Sequence, residues 1–263
     1  MKSFFKNVLS TIVGVVLSVV VVVLLFIGII SIAISALDSD KETKVKANSI
    51  LKITLSKPIV ERASDNPFEN LSITNMDPET EIEFKSILDN IEKAKTDDRI
   101  KGIYLNVPFV NAGLSQTEEI RNKLLDFKTT GKFIISYAEN YSQNGYYLSS
   151  VADEIFLNPE GIFELKGLSA QIIFFKELLE KLDIEAQVIR HGKFKSVIEP
   201  FILDRMSKAN REQISLLLTT ISDNILDSIA SQRRLTLSRV EKLADNLELN
   251  TAANCLENNF VDA

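Results

Sequence analysis

The sequence predicts an α/β fold with parallel strands, preceded by one transmembrane helix. Short apolar runs alternate with helical patterns from about residue 80 to residue 190, as in βαβ units, whose strands lie parallel. Before them, residues 7–37 contain no charged side chain. We predict a cytoplasmic N-terminus at residues 1–6, a transmembrane anchor at 7–37, a linker at 38–48 and a globular domain at 49–263.

The anchor is the most distinct feature of the sequence. Residues 8–34 are almost wholly apolar, whereas about 20 apolar residues are enough to cross a bilayer core. Lys2 and Lys6 precede this run, and acidic side chains follow it at Asp38, Asp40 and Glu42. Because positive flanks stay in the cytoplasm, we expect the globular domain on the outer side, which in a bacterium is the periplasmic or outer face of the cell membrane.

Two other interpretations of this apolar run fit less well. A cleaved signal peptide would use Ala33-Ile34-Ser35 as its small-residue cleavage site. However, signal-peptide cores are about 7–15 residues long, and this run is roughly twice that length. A buried core helix is also disfavoured, because no polar face interrupts the run.

The globular domain begins with a strand, a loop and a helix. Residues 49–55 are rich in β-forming side chains and predict a strand. Residues 64–78 are rich in Asp, Asn, Pro and Ser and predict an exposed loop. Residues 79–95 predict a helix, because apolar side chains recur at helical spacing at Ile82, Leu88 and Ile91.

The alternating part of the chain comes next. Apolar runs predict four buried strands, at 100–107, 132–138, 154–157 and 186–189. Helical patterns predict five helices, at 115–127, 144–151, 169–182, 207–232 and 238–247. Ser115 and Glu118 fit a capping box at the first of these helices. In the helix 169–182, four side chains are expected to face the core: Ile172, Phe175, Leu178 and Leu179.

Composition disfavours several kinds of function. The formal charge of −6 has both signs interspersed, so we do not expect nucleic acid as a partner, since phosphate neutralisation needs clustered Lys and Arg. The single cysteine, Cys255, excludes an intramolecular disulfide. With one histidine, His191, a Cys/His metal cluster and a Cys–His catalytic arrangement are both disfavoured, and no metal or organic cofactor is expected.

The first candidate site is Arg190-His-Gly-Lys-Phe-Lys195-Ser-Val-Ile-Glu199-Pro-Phe201, between a predicted strand and a long helix. Loops at strand ends are where α/β proteins build their sites. A lysine in a partly desolvated pocket has a lowered pKa and can act as a general base, and a Ser–Lys pair can replace a Ser–His–Asp triad. Lys193 and Lys195 are the candidates, and the alternative is that both are solvated surface lysines.

The second candidate is the strand-to-helix turn Glu139-Asn-Tyr-Ser142-Gln-Asn-Gly145-Tyr-Tyr147. Backbone N–H groups at a helix N-terminus can stabilise an oxyanion, and a residue at such an elbow can be a nucleophile. Ser142 has the right hydroxyl, although its simpler role is to cap the helix. A third segment, Val107-Pro108-Phe-Val-Asn-Ala-Gly113, is interpreted as a structural turn, because it has one glycine and Pro108 lacks an N–H.

Two segments together resemble a known family. They are Glu139-Asn-Tyr-Ser-Gln-Asn-Gly-Tyr-Tyr-Leu-Ser-Ser-Val-Ala-Asp-Glu-Ile155 and Lys193-Phe-Lys195-Ser-Val-Ile-Glu-Pro-Phe201. Both closely resemble the N-terminal half of the long form of the signal peptide peptidase A family, also called protease IV. The anchor and the βαβ pattern agree with this resemblance, which runs across nearly all of the chain.

The resemblance implies a ClpP/crotonase-type fold, a spiral of ββα units. It also implies a membrane-bound serine peptidase that degrades remnant signal peptides with a serine nucleophile and a lysine general base. In the long form, two homologous halves share this chemistry. The N-terminal half supplies the lysine, and the matching residue here is Lys195; the C-terminal half supplies the serine.

This sequence departs from the family pattern at the nucleophile. The serine-bearing half has an Ala-Ser-Gly-Gly-Tyr-Tyr-like segment, and the aligned residues here are Ser142-Gln143-Asn144-Gly145-Tyr146-Tyr147. The nucleophile position is therefore Gln143, which cannot attack a carbonyl, and Ser142 lies one residue away. The Gly-rich oxyanion segment is replaced by Pro108-Phe-Val-Asn-Ala. This half is expected to donate the base and not the nucleophile.

The resemblance implies partners as well. They are remnant signal peptides or other membrane-proximal peptides, further copies in a dome-shaped homo-oligomer, a serine-bearing second half in cis or in trans, and membrane lipid.

Because the sequence ends at Ala263, near the junction between the halves of the long form, we expect a fragment or a natural truncation. Two alternatives stay open: an inactive scaffold or peptide-binding module, and a relocated nucleophile in which Ser142 works with Lys195.

Overall fold

The computed structural model describes residues 2–37, 44–62, 81–187 and 196–263, which form two compact units, Met1–Val45 and Lys46–Ala263. The first unit consists of one helix, α1 (Lys2–Leu37). Its segment Ser3–Ile29 is long and apolar enough to cross a membrane, and that stretch is not buried by other parts of the chain. The predicted apolar helix near the N-terminus is therefore present, and most of the predicted linker lies outside the described residues.

The second unit is an α/β domain. Its described part contains six strands: β1 (Ser49–Ile53), β2 (Ile59–Val60), β3 (Ile82–Glu83), β4 (Ile100–Leu105), β5 (Phe133–Ala138) and β6 (Glu154–Leu157). The helices that follow α1 are α2 (Phe84–Thr96), α3 (Leu114–Lys128), α4 (Gln143–Ser149), α5 (Lys176–Lys181), α6 (Glu199–Ile202), α7 (Lys208–Arg233), α8 (Leu237–Asp245) and α9 (Ala252–Glu257).

The main sheet is parallel, with strand order β1–β4–β5–β6, so the chain moves in one direction across it. Ile103 in β4 lies between Leu51 and Ile134, and both isoleucines are fully buried. Parallel strands joined by helical crossovers place their carboxyl ends at one edge of the sheet. The predicted α/β fold with parallel strands is confirmed.

The C-terminal residues lie beside β6. The Asp262 N–H donates a hydrogen bond to the Ile155 carbonyl at 2.8 Å, and the Leu157 N–H donates to the Ala263 carbonyl at 3.0 Å. The side chain of Phe260 is fully buried, and its carbonyl accepts the hydroxyl of Tyr146 at 2.7 Å. These contacts cover the edge of the sheet that β6 would otherwise leave unpaired.

Two predicted helix starts are corrected. The helix predicted at 79–95 begins only at Phe84, because Ile82 and Glu83 pair in parallel with β2, and the Ile82 N–H donates to the Pro58 carbonyl at 2.9 Å. The capping box predicted at Ser115 and Glu118 is also wrong. Helix α3 begins at Leu114, and its cap is supplied by Gln116, whose Oε1 accepts the Gly113 N–H at 3.0 Å.

The largest correction concerns the helix predicted at 169–182. Only α5 is helical there, and residues 164–175 belong to no helix or strand. Phe175 and Leu178, which were expected to face the core, are exposed. The Phe175 N–H donates to the Pro200 carbonyl at 2.7 Å, and its ring stacks on that of Phe201. Contacts with a later part of the chain, which periodicity does not reveal, hold this segment.

Two other predictions fall wholly or partly outside the described residues. Of the strand predicted at 186–189, Ala186 and Gln187 belong to no strand, and the remainder is not described. The loop predicted at 64–78 also lies outside the described ranges.

Candidate active site

The loops that follow β4, β5 and β6 line a cleft of about 610 Å³ at the carboxyl edge of the sheet. This is where parallel α/β sheets bind their ligands, because side chains from several strands converge there. Three pairs of side chains line this cleft. Pro108 and Phe109 come from the loop after β4, Glu139 and Ser142 from the loop after β5, and Ile162 and Glu164 from the loop after β6.

The loop after β4 is held against the strand-to-helix turn after β5. The Ser142 N–H donates a hydrogen bond to the Pro108 carbonyl at 2.8 Å. A Cβ atom at Gly145 would lie 2.5 Å from the carbonyl oxygens of both Val107 and Pro108, so a side chain there would force α4 away from the loop. Glycine is therefore required for this close approach.

The Ser142 side chain caps helix α4. Its Oγ accepts a hydrogen bond from the Gly145 N–H at 3.2 Å, and its backbone is extended, as expected for an N-cap residue. This is the structural role that the sequence offered as the simpler alternative. The proposed catalytic partner, Lys195, lies outside the described residues together with Lys193 and His191, so the relocated nucleophile stays a hypothesis.

The Gln143 side chain makes a structural contact at the first position of α4. Its Oε1 accepts a hydrogen bond from the Lys166 N–H at 3.0 Å. Three residues earlier, Asn140 Oδ1 accepts the Ile162 N–H at 2.8 Å, and Tyr141 forms a parallel bridge with Phe163. The elbow after β5 thus holds the extended segment 162–166 through successive contacts.

Two buried tyrosines, Tyr141 and Tyr146, pack within the core beside the elbow. The Tyr141 hydroxyl lies 2.8 Å from Ser136 Oγ, and burial raises the pKa of Tyr141 to about 12. Burial also raises the pKa of Tyr146, whose ring packs edge-to-face on Phe163 with centroids 4.5 Å apart. Both phenols stay protonated near neutral pH, and their buried rings pack against the elbow.

Glu199 anchors the segment that follows the candidate lysine. This carboxylate is buried after a short 3₁₀ turn, Ser196–Ile198. It accepts hydrogen bonds from Ser207 Oγ at 2.6 Å, from the Ser207 N–H at 3.1 Å and from Asn210 Nδ2 at 3.0 Å. Ser207 is also the N-cap of α7, so the start of that helix and the turn next to Lys195 share one buried carboxylate.

Possible metal ligands and the single thiol can be located in the described part of the chain. There, no group of three or more His, Cys, Asp and Glu side chains is placed to hold a metal ion. Cys255 is buried, and burial raises the pKa of its thiol to about 12, so the thiolate is not populated at neutral pH.

The parallel sheet, the cleft formed by its carboxyl-end loops and the strand-to-helix elbow agree with the ClpP-like α/β fold of peptidase family S49. The chain belongs to peptidase family S49, whose sequence profile matches residues 126–263. The resemblance to the signal peptide peptidase A family is thereby confirmed.

Three curated relatives illustrate this membership. Protease 4 of Haemophilus influenzae is 37% identical over 151 residues, 57% of this chain and 25% of the relative. Protease 4 of Salmonella typhi is 35% identical over 185 residues, 67% of this chain and 30% of the relative. The chloroplastic serine protease SPPA of Arabidopsis thaliana is 33% identical over 187 residues, 71% of this chain and 26% of the relative. The matched part is thus less than a third of each relative's length.

The sequence identified the elbow and the capping role of Ser142, but not the contact that Gln143 makes with Lys166. The structure brings Pro108 and Ser142 together at one cleft, and Gln143, the next residue, contacts Lys166 instead of lining it. It adds Asn140 as the residue that fixes the segment after β6, and Glu199 as a buried anchor. The signal for Glu199 was present in the motif that follows Lys195, but its partners in α7 are not apparent from spacing.

Proposed function

We propose that this chain is the lysine-bearing half of a membrane-anchored serine endopeptidase that degrades cleaved signal peptides. Lys195 is the general base, and a homologous second half, in cis or in trans, supplies the serine. The proposal depends on one observation, the presence of glutamine at position 143. Gln143 occupies the position at which the family's serine-bearing half has its nucleophile, and its amide is engaged with the Lys166 N–H.

The chemistry then proceeds by a Ser–Lys mechanism. Neutral Lys195 removes the proton from the serine of the second half, and the alkoxide attacks a peptide carbonyl. Backbone N–H groups stabilise the oxyanion, and the protonated Lys195 gives its proton to the leaving amine as the peptide C–N bond breaks. Lys195 then takes a proton from water, which hydrolyses the acyl-enzyme and restores the serine. The anchoring of Glu199 supports this assignment, because it holds the turn that begins directly after Lys195 to the start of α7.

A peptide substrate is supported by the cleft at the carboxyl edge of the sheet, where Phe109 and Ile162 expose apolar surface beside polar groups. A concave surface that combines apolar side chains with a few polar groups is the usual form of a ligand site.

A homo-oligomer is supported by the apolar surface around α5, α6 and α7. Val197 is 89% exposed and Leu216 is 69% exposed. Other large apolar side chains on these elements are exposed as well: Leu178, Leu182, Phe201 and Leu217. Exposed apolar surface of this extent usually marks an interaction site, and further copies of the chain are the proposed partners.

The proposed location is the bacterial cell membrane. Helix α1 crosses the bilayer once and contacts lipid, the N-terminus is cytoplasmic, and the domain proposed for residues 49–263 lies on the periplasmic or outer side. Lys2 and Lys6 at the start of α1 support this orientation, because positively charged flanks stay in the cytoplasm.

The test is cleavage of a fluorogenic signal-peptide-like substrate by the purified chain, alone and with a serine-bearing half added. We expect cleavage only in the mixture, and we expect Lys195→Ala to lower its rate by about 10²–10⁴-fold, the usual contribution of a general base. Lys193→Ala is the matched control, because it removes a lysine of the same segment. Cleavage by the chain alone would show that the nucleophile assignment is wrong.

An inactive scaffold or peptide-binding module is the second candidate function. It is favoured by the same observation, since Gln143 cannot attack a carbonyl. This alternative predicts that no mixture with a serine-bearing half cleaves the substrate, whereas peptides still bind.

A further inference from the structure

We propose that the cleft at the carboxyl edge of the sheet is a non-cleaving subsite that binds the basic end of an extended peptide, with apolar residues following the basic ones. The cleft combines negative charge with exposed apolar surface. Two carboxylates, Glu139 and Glu164, line it, and so do two exposed apolar side chains, Phe109 and Ile162.

The charges in the cleft favour a cationic ligand. Within the described ranges, no lysine or arginine lines it, and the Glu139 side chain has neither a hydrogen bond nor an ion pair. Glu164 lies 3.4 Å from the Lys166 amine, but both side chains are at least half exposed. Such a surface pair contributes little stability, so a peptide lysine can replace Lys166 at small cost.

The apolar side chains of the cleft select for apolar residues next to the basic ones in the peptide. Phe109 is 48% exposed and Ile162 is 61% exposed, and both belong to loops that are fixed to the elbow. Because the Ile162 N–H is bound by Asn140 Oδ1, this apolar surface is held in place before a peptide arrives. A preformed apolar surface binds at lower entropic cost than one that must be ordered.

Bound peptides would remain intact in this cleft. The elbow carries Ser142 and Gln143, and both side chains are engaged in contacts that hold the backbone. The cleft therefore retains peptide without attacking it, and hydrolysis takes place at the serine of the second half.

The source of such peptides rests on the proposed function. A signal peptide begins with a positively charged region followed by an apolar one, which is the order that this cleft accommodates. The subsite would hold the charged end of a remnant signal peptide while its apolar region extends toward the catalytic serine.

The experiment measures binding by the full chain in detergent micelles. Three peptides with a neutral dye share one apolar sequence, Leu-Val-Leu-Ala, preceded by two lysines, two glutamines or two glutamates. Fluorescence anisotropy gives the Kd of each peptide for the wild type, for Glu139→Gln, for Glu164→Gln and for the double variant. Glu154→Gln is the matched control, because Glu154 is exposed at the opposite, amino end of β6. Micelles without protein provide the blank.

We expect the lysine peptide to bind most tightly and each Gln substitution in the cleft to weaken it about two- to fivefold, as for a partly exposed ion pair. The effect should diminish at high salt, because salt screens exposed charges. Binding of the glutamine peptide should change little in any variant. Equal affinities for the lysine and glutamate peptides, or an unchanged Kd in the double variant, would overturn the subsite.

This binding assay is independent of cleavage. If the proposed peptidase function fails, no mixture cleaves a substrate, yet the three peptides still report on the cleft. If only the subsite fails, cleavage by the mixture continues to depend on Lys195 while the preference for basic peptides is absent.

Discussion

Ser142 and Gln143 are neighbours with separate tasks. The Ser142 hydroxyl satisfies a backbone N–H of the first turn of α4, and the Gln143 amide accepts the Lys166 N–H. Both contacts stabilise the backbone of the elbow. These two contacts explain how the elbow keeps its shape.

Two substitutions of Ser142 distinguish its role as a helix cap from a role as a nucleophile. Ser142→Ala removes the cap, so the free energy of unfolding should fall by about 1 kcal/mol. Ser142→Asn should keep most of the stability, because Asn caps helices as well as Ser does. Denaturant unfolding of the full chain in micelles measures both changes.

Cleavage by the mixture with a serine-bearing half provides the functional control for these variants. Ser142→Asn lacks a hydroxyl and should still support cleavage. A stable Ser142→Asn protein that supports no cleavage would instead indicate that Ser142 is the nucleophile.

At the scale of elements, the turn after Lys195 and the start of α7 depend on one carboxylate. Glu199→Ala should lower the free energy of unfolding by about 1–3 kcal/mol, because the N–H of Ser207 and the amide of Asn210 lose a buried charged acceptor. Cleavage by the mixture should also fall. Glu177→Ala, at an exposed position of α5, is the matched control. If the two variants unfold at the same denaturant concentration, Glu199 is not an anchor.

The contact between α7 and the C-terminal residues predicts a pH dependence. Burial by itself raises the pKa of Asp262, but hydrogen bonds from Arg233 and from the Ile155 N–H outweigh it and bring that pKa below its ordinary value of 3.8. A lowered pKa in the folded state stabilises the protein above pH 3.8, and this contribution is lost as the pH falls through the folded-state pKa.

Asp262→Asn should therefore reduce the stability at neutral pH and remove this part of the acid sensitivity. Thermal unfolding midpoints across the acid range measure both effects, and Asp245→Asn, exposed at the end of α8, is the control. An unchanged acid sensitivity in Asp262→Asn would show that the Arg233–Asp262 contact does not stabilise the fold.

At the scale of the whole molecule, the apolar surface on α7 predicts the oligomeric state. Leu216 and Leu217 are well exposed, and replacing both with Glu should shift the detergent-solubilised chain to smaller assemblies, because buried carboxylates would be unpaired in the interface. Light scattering measures the mass. Arg211→Glu together with Ser215→Glu is the matched control, because both residues are exposed on the opposite face of the same helix. If the double Leu variant keeps the wild-type mass, this surface does not join the copies.

Much of the fold was predictable because its signals are local. The apolar run of α1 has the length of a membrane span, and the strand β6 was predicted with the bounds that the structure shows. Ser142 was recognised as a possible cap because Ser is favoured at a helix N-terminus. Family motifs also depend on local sequence, so the resemblance was apparent before any contact was known.

Tertiary structure alone decided the features that depend on distant partners. Ile82 and Glu83 form a strand because β2 lies beside them. Residues 164–175 are not helical, and contacts with Gln143 and Pro200 hold Lys166 and Phe175 there. Glu139 and Glu164 line the same cleft because the neighbouring strands β5 and β6 end side by side. The sequence by itself determined the apolar N-terminal helix, the class of fold and the family, because these depend on local periodicity and motif. The cleft and its charges required the folded chain, because they arise from residues far apart in sequence.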